Sequence, residues 1–311
     1  MKMRFCYAHR RFTLYPNHLN SWDLTPAAYT DEFLARVKEM GFDAFEVGIE
    51  VLDKTGGSES DVKGFANRLA DFGLAIGCVR SGGTLVEAKN GPANRERQLR
   101  AIKFAGWAGA EVVNGAMSAP FRYPGKPGSS YGWPVSQDGS REQMMWTYEA
   151  IAPVLQEACD VAGEVGVNVS VEVHQNSPVD TSWSALLLHG LVDRKNFGVN
   201  PDLGNVLWCY DVPEEDTETT IKKLAPIANY WHCKNLHRIN HPENERSVFL
   251  RVPLTDGEID YRFAISAMAD ADYSGYMAIE GAWAGDQFYQ DSKSIKYAKE
   301  IWAEREKQGA A

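Results

Sequence analysis

The sequence predicts a single α/β domain with the (β/α)8 barrel, or TIM barrel, fold. Eight short apolar runs alternate with longer amphipathic segments along the 311 residues. This alternation is typical of a parallel sheet covered by helices, and the count of eight favours a closed barrel. An open, doubly wound sheet is the structural alternative, but no glycine-rich nucleotide-binding motif follows any of the apolar runs.

The predicted strands are short runs rich in β-branched, aromatic and small apolar residues. In a barrel, the carboxyl ends of all parallel strands meet at one face, where barrel enzymes place their catalytic groups. The last residues of each run are therefore the first place to look for a site. The runs cover residues 4–8, 43–48, 74–80, 110–115, 167–174, 197–200, 229–234 and 275–280.

The helical segments between the strands carry start and stop signals. The segment 26–40 follows Thr25, which we expect to be its N-cap, and it opens with a proline at the first helical position. Gly41 then ends it, as a glycine after a helix commonly does. Closing glycines also follow the predicted helical segments 58–72 and 141–165.

Two connections are much longer than the others. Residues 115–140 follow the fourth strand and are rich in Gly, Pro, Ser and aromatic residues, and residues 235–260 follow the seventh strand. Connections of this length in a compact domain are usually lids or interaction surfaces. We therefore expect one domain over residues 1–311, with both long loops over the active-site face.

Composition excludes several classes of protein. The formal net charge of −10 argues against a nucleic-acid partner, because phosphate binding needs a basic surface. No apolar run is long enough to span a bilayer, and no signal-peptide core is present at the start. The cysteines are scattered and odd in number, which suits reduced thiols in a cytoplasmic protein. Together with the lack of a long apolar run, this predicts a cytoplasmic protein with no membrane association. The chain has five cysteines. They are Cys6, Cys78, Cys159, Cys209 and Cys233.

Two ionisable residues stand at the end of the fifth predicted strand. Side chains alternate along a strand, so Glu172 and His174 share one face. Burying an unpaired carboxylate is costly, and such a group normally finds a partner, a metal or a proton. An internal salt bridge and half of a metal site are the two interpretations of this pair.

Three further residues at later strand ends favour the metal site. Asp202 and His232 each follow the preceding candidate by 30 residues, the length of one βα repeat. Glu280 follows His232 by 48 residues, which is one repeat plus the long insertion. Four successive strands would thus each direct one ligand, from Glu172 to Glu280, into the same mouth of the barrel.

Three carboxylates that converge without a cation would repel each other. One divalent ion removes this repulsion, and a set of three carboxylates and one imidazole suits a hard cation. We expect Mn²⁺ as the cofactor, with Mg²⁺, Zn²⁺, Co²⁺ and Fe²⁺ also compatible. The metal ligands are Glu172, Asp202, His232 and Glu280.

These motifs resemble those of the xylose isomerase-like barrel superfamily, which contains sugar isomerases and epimerases, dehydratases and apurinic endonucleases. The resemblance covers essentially the whole chain. It implies that the four strand-end residues bind one divalent metal. It is carried by 41-GFDAFEVG-48, 172-EVH-174, 202-DLGN-205, 232-HCK-234 and Glu280.

Within that superfamily the chain most resembles the α (catalytic) subunits of C-glycoside deglycosidases, through residues 5–18, 172–176 and 231–239. The resemblance implies a lyase that cleaves the C–C glycosidic bond of 3-oxo-C-glucosides, assembled with a smaller β subunit in a hetero-oligomer. The alternative is a metal-dependent isomerase or epimerase of a sugar or keto-sugar. Ketose 3-epimerases carry a histidine where this chain has Asn205, which weakens a simple ketose substrate.

The resemblance also suggests two catalytic residues. His174 would be the general acid or base, although it could instead only orient a ligand. Lys234 shares the strand face of His232 and would neutralise an enolate oxygen, unless it forms an ion pair with Glu172 or Glu280. The residues predicted to bind substrate are His9, Glu46, Arg80 and His237. The sequence leaves open the metal, the sugar and aglycone, the outcome of the reaction, the number of chains, and the direction of proton transfer at His174.

Overall fold

The predicted barrel is confirmed by a computed structural model. It describes residues 3–9, 11–13, 18–20, 24–117, 139–175, 177–209, 212–241, 246–282 and 285–309. Eight parallel strands form one sheet, and neighbouring strands along the chain are neighbours in the sheet. A further parallel bridge between Val199 and Ala228 joins the two ends of the sheet, so the strands enclose a nearly closed barrel.

Each barrel strand coincides with one of the predicted apolar runs. In chain order they are β1 Arg4–Tyr7, β2 Ala44–Gly48, β3 Ala75–Arg80, β4 Val112–Gly115, β5 Asn168–Glu172, β6 Phe197–Asn200, β7 Trp231–Cys233 and β8 Tyr276–Ile279. All are short, and most of their residues are buried because side chains point alternately into the barrel and into the helical layer.

Eight longer helices cover the barrel. They are α1 Asp31–Met40, α2 Glu59–Asp71, α3 Gly91–Ala108, α4 Met145–Glu164, α5 Ser182–Val192, α6 Thr217–Leu224, α7 Tyr261–Asp270 and α8 Gln287–Gly309. Two five-residue helices follow β2 and β6, at Ile49–Asp53 and Leu203–Leu207, and short 3₁₀ turns lie at Pro26–Ala28, Ser140–Glu142 and Ala225–Ile227. Within the described ranges, no helix combines the length and apolar composition that a membrane span needs.

The prediction of one helix over residues 26–40 is wrong at its start. Thr25 precedes only a 3₁₀ turn, and α1 begins at Asp31, where the Thr30 hydroxyl accepts a hydrogen bond of 3.3 Å from the Phe33 amide. Thr30 is followed by two acidic residues, which favour a helix N-terminus electrostatically. This second start signal prevails over the first, while Gly41 ends the helix as predicted.

The two faces of each strand pack differently. On β1, Phe5 and Tyr7 join the large core between strands and helices, whereas Cys6 and Ala8 join a smaller cluster inside the barrel. Cys233 of β7 lies in the outer core, as strand alternation predicts for the residue between His232 and Lys234. No disulfide links the five cysteines, all of which lie in described ranges.

The insertion after β7 is a folded hairpin rather than an irregular loop. Asn235–His241 pairs antiparallel with Arg246–Val252, while residues 242–245 lie outside the described ranges. Leu236 and Phe249 point to the same side and pack on Trp208, whose ring stacks on Phe249 at 4.7 Å. The other predicted long loop, 115–140, falls mostly on residues 118–138, which are outside the described ranges.

A buried carboxyl group joins the first strand to the last helix. Asp291 of α8 is 2% exposed and accepts a hydrogen bond from the hydroxyl of the buried Tyr7. Burial raises the pKa of Asp291 to about 7, although the hydrogen bond from Tyr7 lowers it in part. The folded protein therefore binds a proton here that the unfolded chain releases at lower pH.

Replacing this carboxyl group should change how stability depends on pH. A raised folded-state pKa means that the wild-type free energy of unfolding falls as pH rises from about 4 to about 7, by up to about 4 kcal/mol. Asp291→Asn retains an acceptor for Tyr7 but cannot ionise. Its free energy of unfolding, measured by denaturant titration, should therefore increase relative to that of the wild type between pH 5 and pH 8.

The matched control is Asp256→Asn, because the hydrogen bond from Lys293 lowers the pKa of Asp256 instead of raising it. The free energy of unfolding of this variant should not increase relative to that of the wild type over the same interval. A constant difference between Asp291→Asn and the wild type across pH 5–8 would contradict the assignment of a protonated buried carboxyl.

Candidate metal centre

Four buried side chains meet at the carboxyl end of the barrel. Glu172 ends β5, Asp202 follows β6, His232 lies in β7 and Glu280 follows β8. Each contributes one oxygen or nitrogen, and these four atoms lie within 4.8 Å of one another. The structure therefore brings together all four residues that the strand-end spacing singled out.

The ring of His232 is oriented by contacts on both of its nitrogens. Nδ1 faces the carboxylates, at 3.3 Å from Glu172 Oε1, 3.5 Å from Glu280 Oε1 and 3.8 Å from Asp202 Oδ2. On the opposite side, Nε2 lies 2.6 Å from Oε2 of Glu46. A carboxylate behind a histidine in this way fixes the ring and raises its basicity, an arrangement typical of metal-binding histidines.

Amide groups hold the carboxylates and the backbone around them. Asn205 Nδ2 donates to Glu172 Oε1 and to the carbonyl of Val173, both at 2.9 Å. Asp202 Oδ1 accepts from the amide of Gly204 at 3.0 Å, which leaves Oδ2 toward the cluster. The backbone amide of His232 donates to the side chain of Asn200 at 2.7 Å. The ligand atoms are thus held in place by neighbouring strands.

Two buried cations contact carboxylates of the cluster. Lys234 Nζ donates to Asp202 Oδ2 at 2.6 Å and to Glu280 Oε2 at 2.9 Å, and Arg251 also pairs with Glu280 Oε2. The stem of Lys234 passes so close to Gly204 that a Cβ there would lie 2.4 Å from Lys234 Cγ. A glycine at position 204 is therefore required for Lys234 to reach both carboxylates.

Arg251 was not found from the sequence. It lies on the second strand of the hairpin, paired with Leu236, and its side chain is 3% exposed. Nothing in its local pattern distinguishes it from the other charged residues of the 235–260 insertion. Its position depends on the hairpin folding back over the barrel, which is a non-local event.

The charges of the cluster shift one another's protonation. Burial raises the pKa of Glu172, but the charges of His232, His174 and Lys234 outweigh burial and lower it to about 2. Burial lowers the pKa of His232, yet the surrounding carboxylates raise it to about 10. Burial together with the neighbouring carboxylates raises the pKa of Asp202 to about 7, against the charge of Lys234. Additional positive charge would therefore stabilise the cluster.

The donor set fits a divalent cation. Ligand atoms of one metal bound at about 2.1 Å lie roughly 3–4 Å apart, and Nδ1 of His232 stands 3.3–3.8 Å from the three carboxylate oxygens. The three oxygens and one imidazole nitrogen suit Mg²⁺ or Mn²⁺ better than a soft metal. Glu172, Asp202, His232 and Glu280 would hold the ion, and Glu46 would support His232.

His174 stands beside this cluster on a partly exposed turn. Its Nδ1 lies 2.7 Å from the carbonyl of Gln175 and must donate to it, because a carbonyl only accepts. In the neutral ring, Nε2 is then the nitrogen that carries the lone pair. Burial lowers the pKa of His174 and Lys234 lowers it further, while Glu172 raises it.

The structure places the four predicted substrate-binding residues in different surroundings. Glu46 and Arg80 belong to the layer behind His232, with Arg80 Nε 3.7 Å from Glu46 Oε1. His9 is 4% exposed and surrounded by aromatic rings, on the side of β1 away from the cluster. His237 is about half exposed, on the outer face of the hairpin, 3.9 Å from Glu258. Their role toward substrate stays a prediction.

The chain belongs to the family described as the xylose isomerase-like TIM barrel, whose model matches residues 34–304. This confirms the superfamily that the motifs suggest. Among curated proteins, a 3-dehydroshikimate dehydratase from Bacillus anthracis is 24% identical over 148 residues, which cover 45% of this chain. The match spans about half the length of that relative, at 51%.

Solved structures share the fold over nearly the whole chain. A xylose isomerase-like TIM barrel protein from Mycobacterium smegmatis, in complex with magnesium, has a TM-score of 0.72 and 22% identity, with 97% of each chain covered. The 3-keto-D-glucoside 4-epimerase of E. coli has a TM-score of 0.65 and 15% identity, covering 96% of this chain and 100% of its own. At these identities the likeness shows the fold.

Metal binding can be tested directly. The wild-type protein, stripped with chelator, should bind one Mn²⁺ or Mg²⁺ per chain in isothermal titration calorimetry. Glu172→Gln and His232→Ala should each abolish this binding, because each removes one of the four ligands and the remaining three hold the ion too weakly. Glu111→Gln, at the exposed pair with Arg4, is the control and should bind like the wild type. Wild-type affinity in either ligand variant would contradict the assigned site.

Glu46 should affect metal affinity although it is not a ligand. Glu46→Gln keeps an acceptor for His232 Nε2 but removes the charge that raises the basicity of the ring, so affinity should fall about 10- to 100-fold. Glu50→Gln provides the control, because Glu50 is about half exposed and pairs with Arg97. The dissociation constants from calorimetry decide the outcome, and equal values for Glu46→Gln and the wild type would refute this supporting role.

Proposed function

We propose that the protein is a divalent-metal-dependent lyase that cleaves the C–C glycosidic bond of 3-oxo-C-glucosides. The observation that carries the proposal is an asymmetric site. A histidine able to accept a proton stands beside a four-ligand metal centre whose Asp202 and Glu280 also hold two cations, Lys234 and Arg251. One base together with concentrated positive charge suits removal of a proton beside a ketone followed by loss of a substituent.

This chemistry is compatible with the proposed substrate class, which the resemblance to C-glycoside deglycosidases suggests. A bound divalent cation would act as a Lewis acid that polarises the ketone oxygen. The four ligands would fix that cation at the mouth of the barrel, and Mn²⁺ is the ion that we propose. A 3-oxo-glucoside is the small-molecule partner, because its 3-ketone makes the proton on C2 acidic.

His174 is the proposed base. With Nδ1 donating to the Gln175 carbonyl, Nε2 would take the proton from C2, and the electrons of the C2–H bond would form the enolate. When the ketone re-forms, the electrons shift to a C1–C2 double bond and the C1–aryl bond breaks. The aryl carbon keeps the electron pair of that bond and takes up the proton equivalent that His174 removed, returned directly or through water, so that the free aglycone and an unsaturated keto-sugar leave.

Lys234 and Arg251 are proposed to stabilise the negative charge that develops on the sugar oxygen. Both are buried, and both pair with Glu280. The ion pair that was the alternative role of Lys234 is therefore formed, and the proposal is that the paired cations also stabilise an enolate. Fixed positive charge in a site sheltered from water stabilises an enolate more strongly than it would in bulk solvent. A smaller β subunit, completing a hetero-oligomer as in the deglycosidases, is part of the same proposal.

An isomerase or epimerase of a sugar or keto-sugar is the second candidate. The similarity in fold to the E. coli 3-keto-D-glucoside 4-epimerase and to an L-ribulose 3-epimerase supports it. Its first step would also be removal of a proton beside a carbonyl. The proton would then return to the other face of the same carbon or to the neighbouring carbon, and no bond to a substituent would break.

One assay separates the two candidates. The Mn²⁺-loaded protein, with and without a deglycosidase-type β subunit, is given a 3-oxo-C-glucosyl flavonoid in D₂O. Free aglycone, measured by chromatography, is the expected product of the lyase. An unbroken substrate that carries deuterium, or that has changed configuration, would instead establish the isomerase or epimerase and overturn the lyase.

Either reaction should depend on the proposed base. His174→Gln should reduce both aglycone release and deuterium exchange about 100-fold or more, because it removes the proton acceptor. His189→Gln is the matched control, since His189 lies in the last turn of α5 and stacks on Phe197. Wild-type rates in His174→Gln would contradict the role of His174 as base.

A further inference from the structure

The partly exposed turn that carries His174 is closed by a backbone hydrogen bond. The amide of His174 donates to the carbonyl of Val179 at 2.8 Å, so these two ends of the turn after β5 are joined, while Asn176 between them lies outside the described residues. Within it, the amide of Val179 donates to the hydroxyl of Ser177 at 3.2 Å. Ser177 and Val179 are both fully buried. A displacement of Val179 would therefore also displace the backbone of His174.

A second segment of the chain holds this loop from outside. Tyr148, in the first turns of α4, donates from its buried hydroxyl to the carbonyl of Pro178 at 2.9 Å. The amide of Ser140 donates to Asp180 Oδ1 at 3.1 Å, and the hydroxyls of Ser140 and Thr181 are 3.2 Å apart. Three hydrogen bonds thus join residues 140–148 to residues 178–181, across 30 to 41 positions of sequence.

This junction is tightly packed as well as hydrogen-bonded. A Cβ added to Gly139 would lie 2.4 Å from Asp180 Oδ2, so a side chain at 139 would displace the carboxylate. Ser140 and Tyr148 are 1% and 2% exposed, so water does not readily replace the lost bonds if the contact is broken. No residue of the junction belongs to the four-ligand cluster.

We infer that Tyr148 and Asp180 are positioning residues that hold the His174 loop against α4 and so keep the imidazole in its catalytic orientation. The inference rests on the proposed function, in which His174 takes the proton from C2. Neither side chain needs to touch substrate or metal. They act through Pro178 and Ser140 on the loop, and a small displacement of a proton acceptor is costly because proton transfer requires hydrogen-bond distance.

The test compares Tyr148→Phe with Tyr273→Phe. Tyr273 is a matched control because its buried hydroxyl also donates to a backbone carbonyl, that of Tyr276 at 2.8 Å, away from this loop. In Tyr148→Phe, kcat should fall about 10- to 100-fold with little change in KM or in Mn²⁺ affinity. Tyr273→Phe should lose a similar amount of stability and keep its kcat. Asp180→Ala serves as the second positioning variant and should behave like Tyr148→Phe.

A measurement independent of turnover follows the imidazole itself. In protein labelled with ¹⁵N-histidine and loaded with Mg²⁺, the ring signal of His174 is identified by its absence from His174→Gln. Tyr148→Phe and Asp180→Ala should shift or broaden this signal and leave that of His232 in place. An unchanged His174 signal with unchanged kcat in both variants would overturn the positioning role. Full turnover in His174→Gln would instead overturn the proposed base, while the ring signal still decides whether Tyr148 and Asp180 hold the loop.

Discussion

Three carboxylates buried around one imidazole are the constraint on which the site depends. Glu172, Asp202 and Glu280 are each no more than 5% exposed, and their oxygens face the same nitrogen of His232. Removing such charges from water costs several kcal/mol each unless opposite charge or hydrogen bonds compensate. The surroundings supply that compensation through Asn205, Lys234 and Arg251, and a divalent cation would complete it.

This requirement explains why elements far apart in sequence converge on one face. The parallel strands deliver four ligands at intervals set by the βα repeat, as barrels generally do at their carboxyl ends. The hairpin after β7 adds Arg251, and the middle of β2 adds Glu46 behind His232. The hairpin itself is anchored by the packing of Leu236 and Phe249 on Trp208. The packing of Leu236 and Phe249, away from the cluster, thus fixes the position of the Arg251 charge beside Glu280.

The buried carboxylates and the cations around them bear on both the stability of the site and its proposed chemistry. A cluster of buried carboxylates attracts a cation, and a cation held there would stabilise negative charge on a substrate oxygen. In the proposed reaction, whether the enolate loses a substituent or regains a proton would depend on where proton donors stand. In the proposal, His174, on a loop held by Tyr148 and Asp180, would provide a proton acceptor on one side, and Lys234 with Arg251 would provide charge at the edge of the centre. Such an asymmetry would favour elimination over a two-base exchange.

The sequence by itself determined the barrel and the four residues of the cluster, because both depend on local periodicity. Alternation along β5 put Glu172 on an inward face, and a repeat of 30 residues carried the same register to Asp202 and His232. Only the tertiary structure decided which groups stand next to those residues. Glu46 meets His232 across 186 positions of sequence, and Arg251 reaches Glu280 only because a hairpin folds back. Such contacts arise from strand order and packing, and no local pattern of residues encodes them.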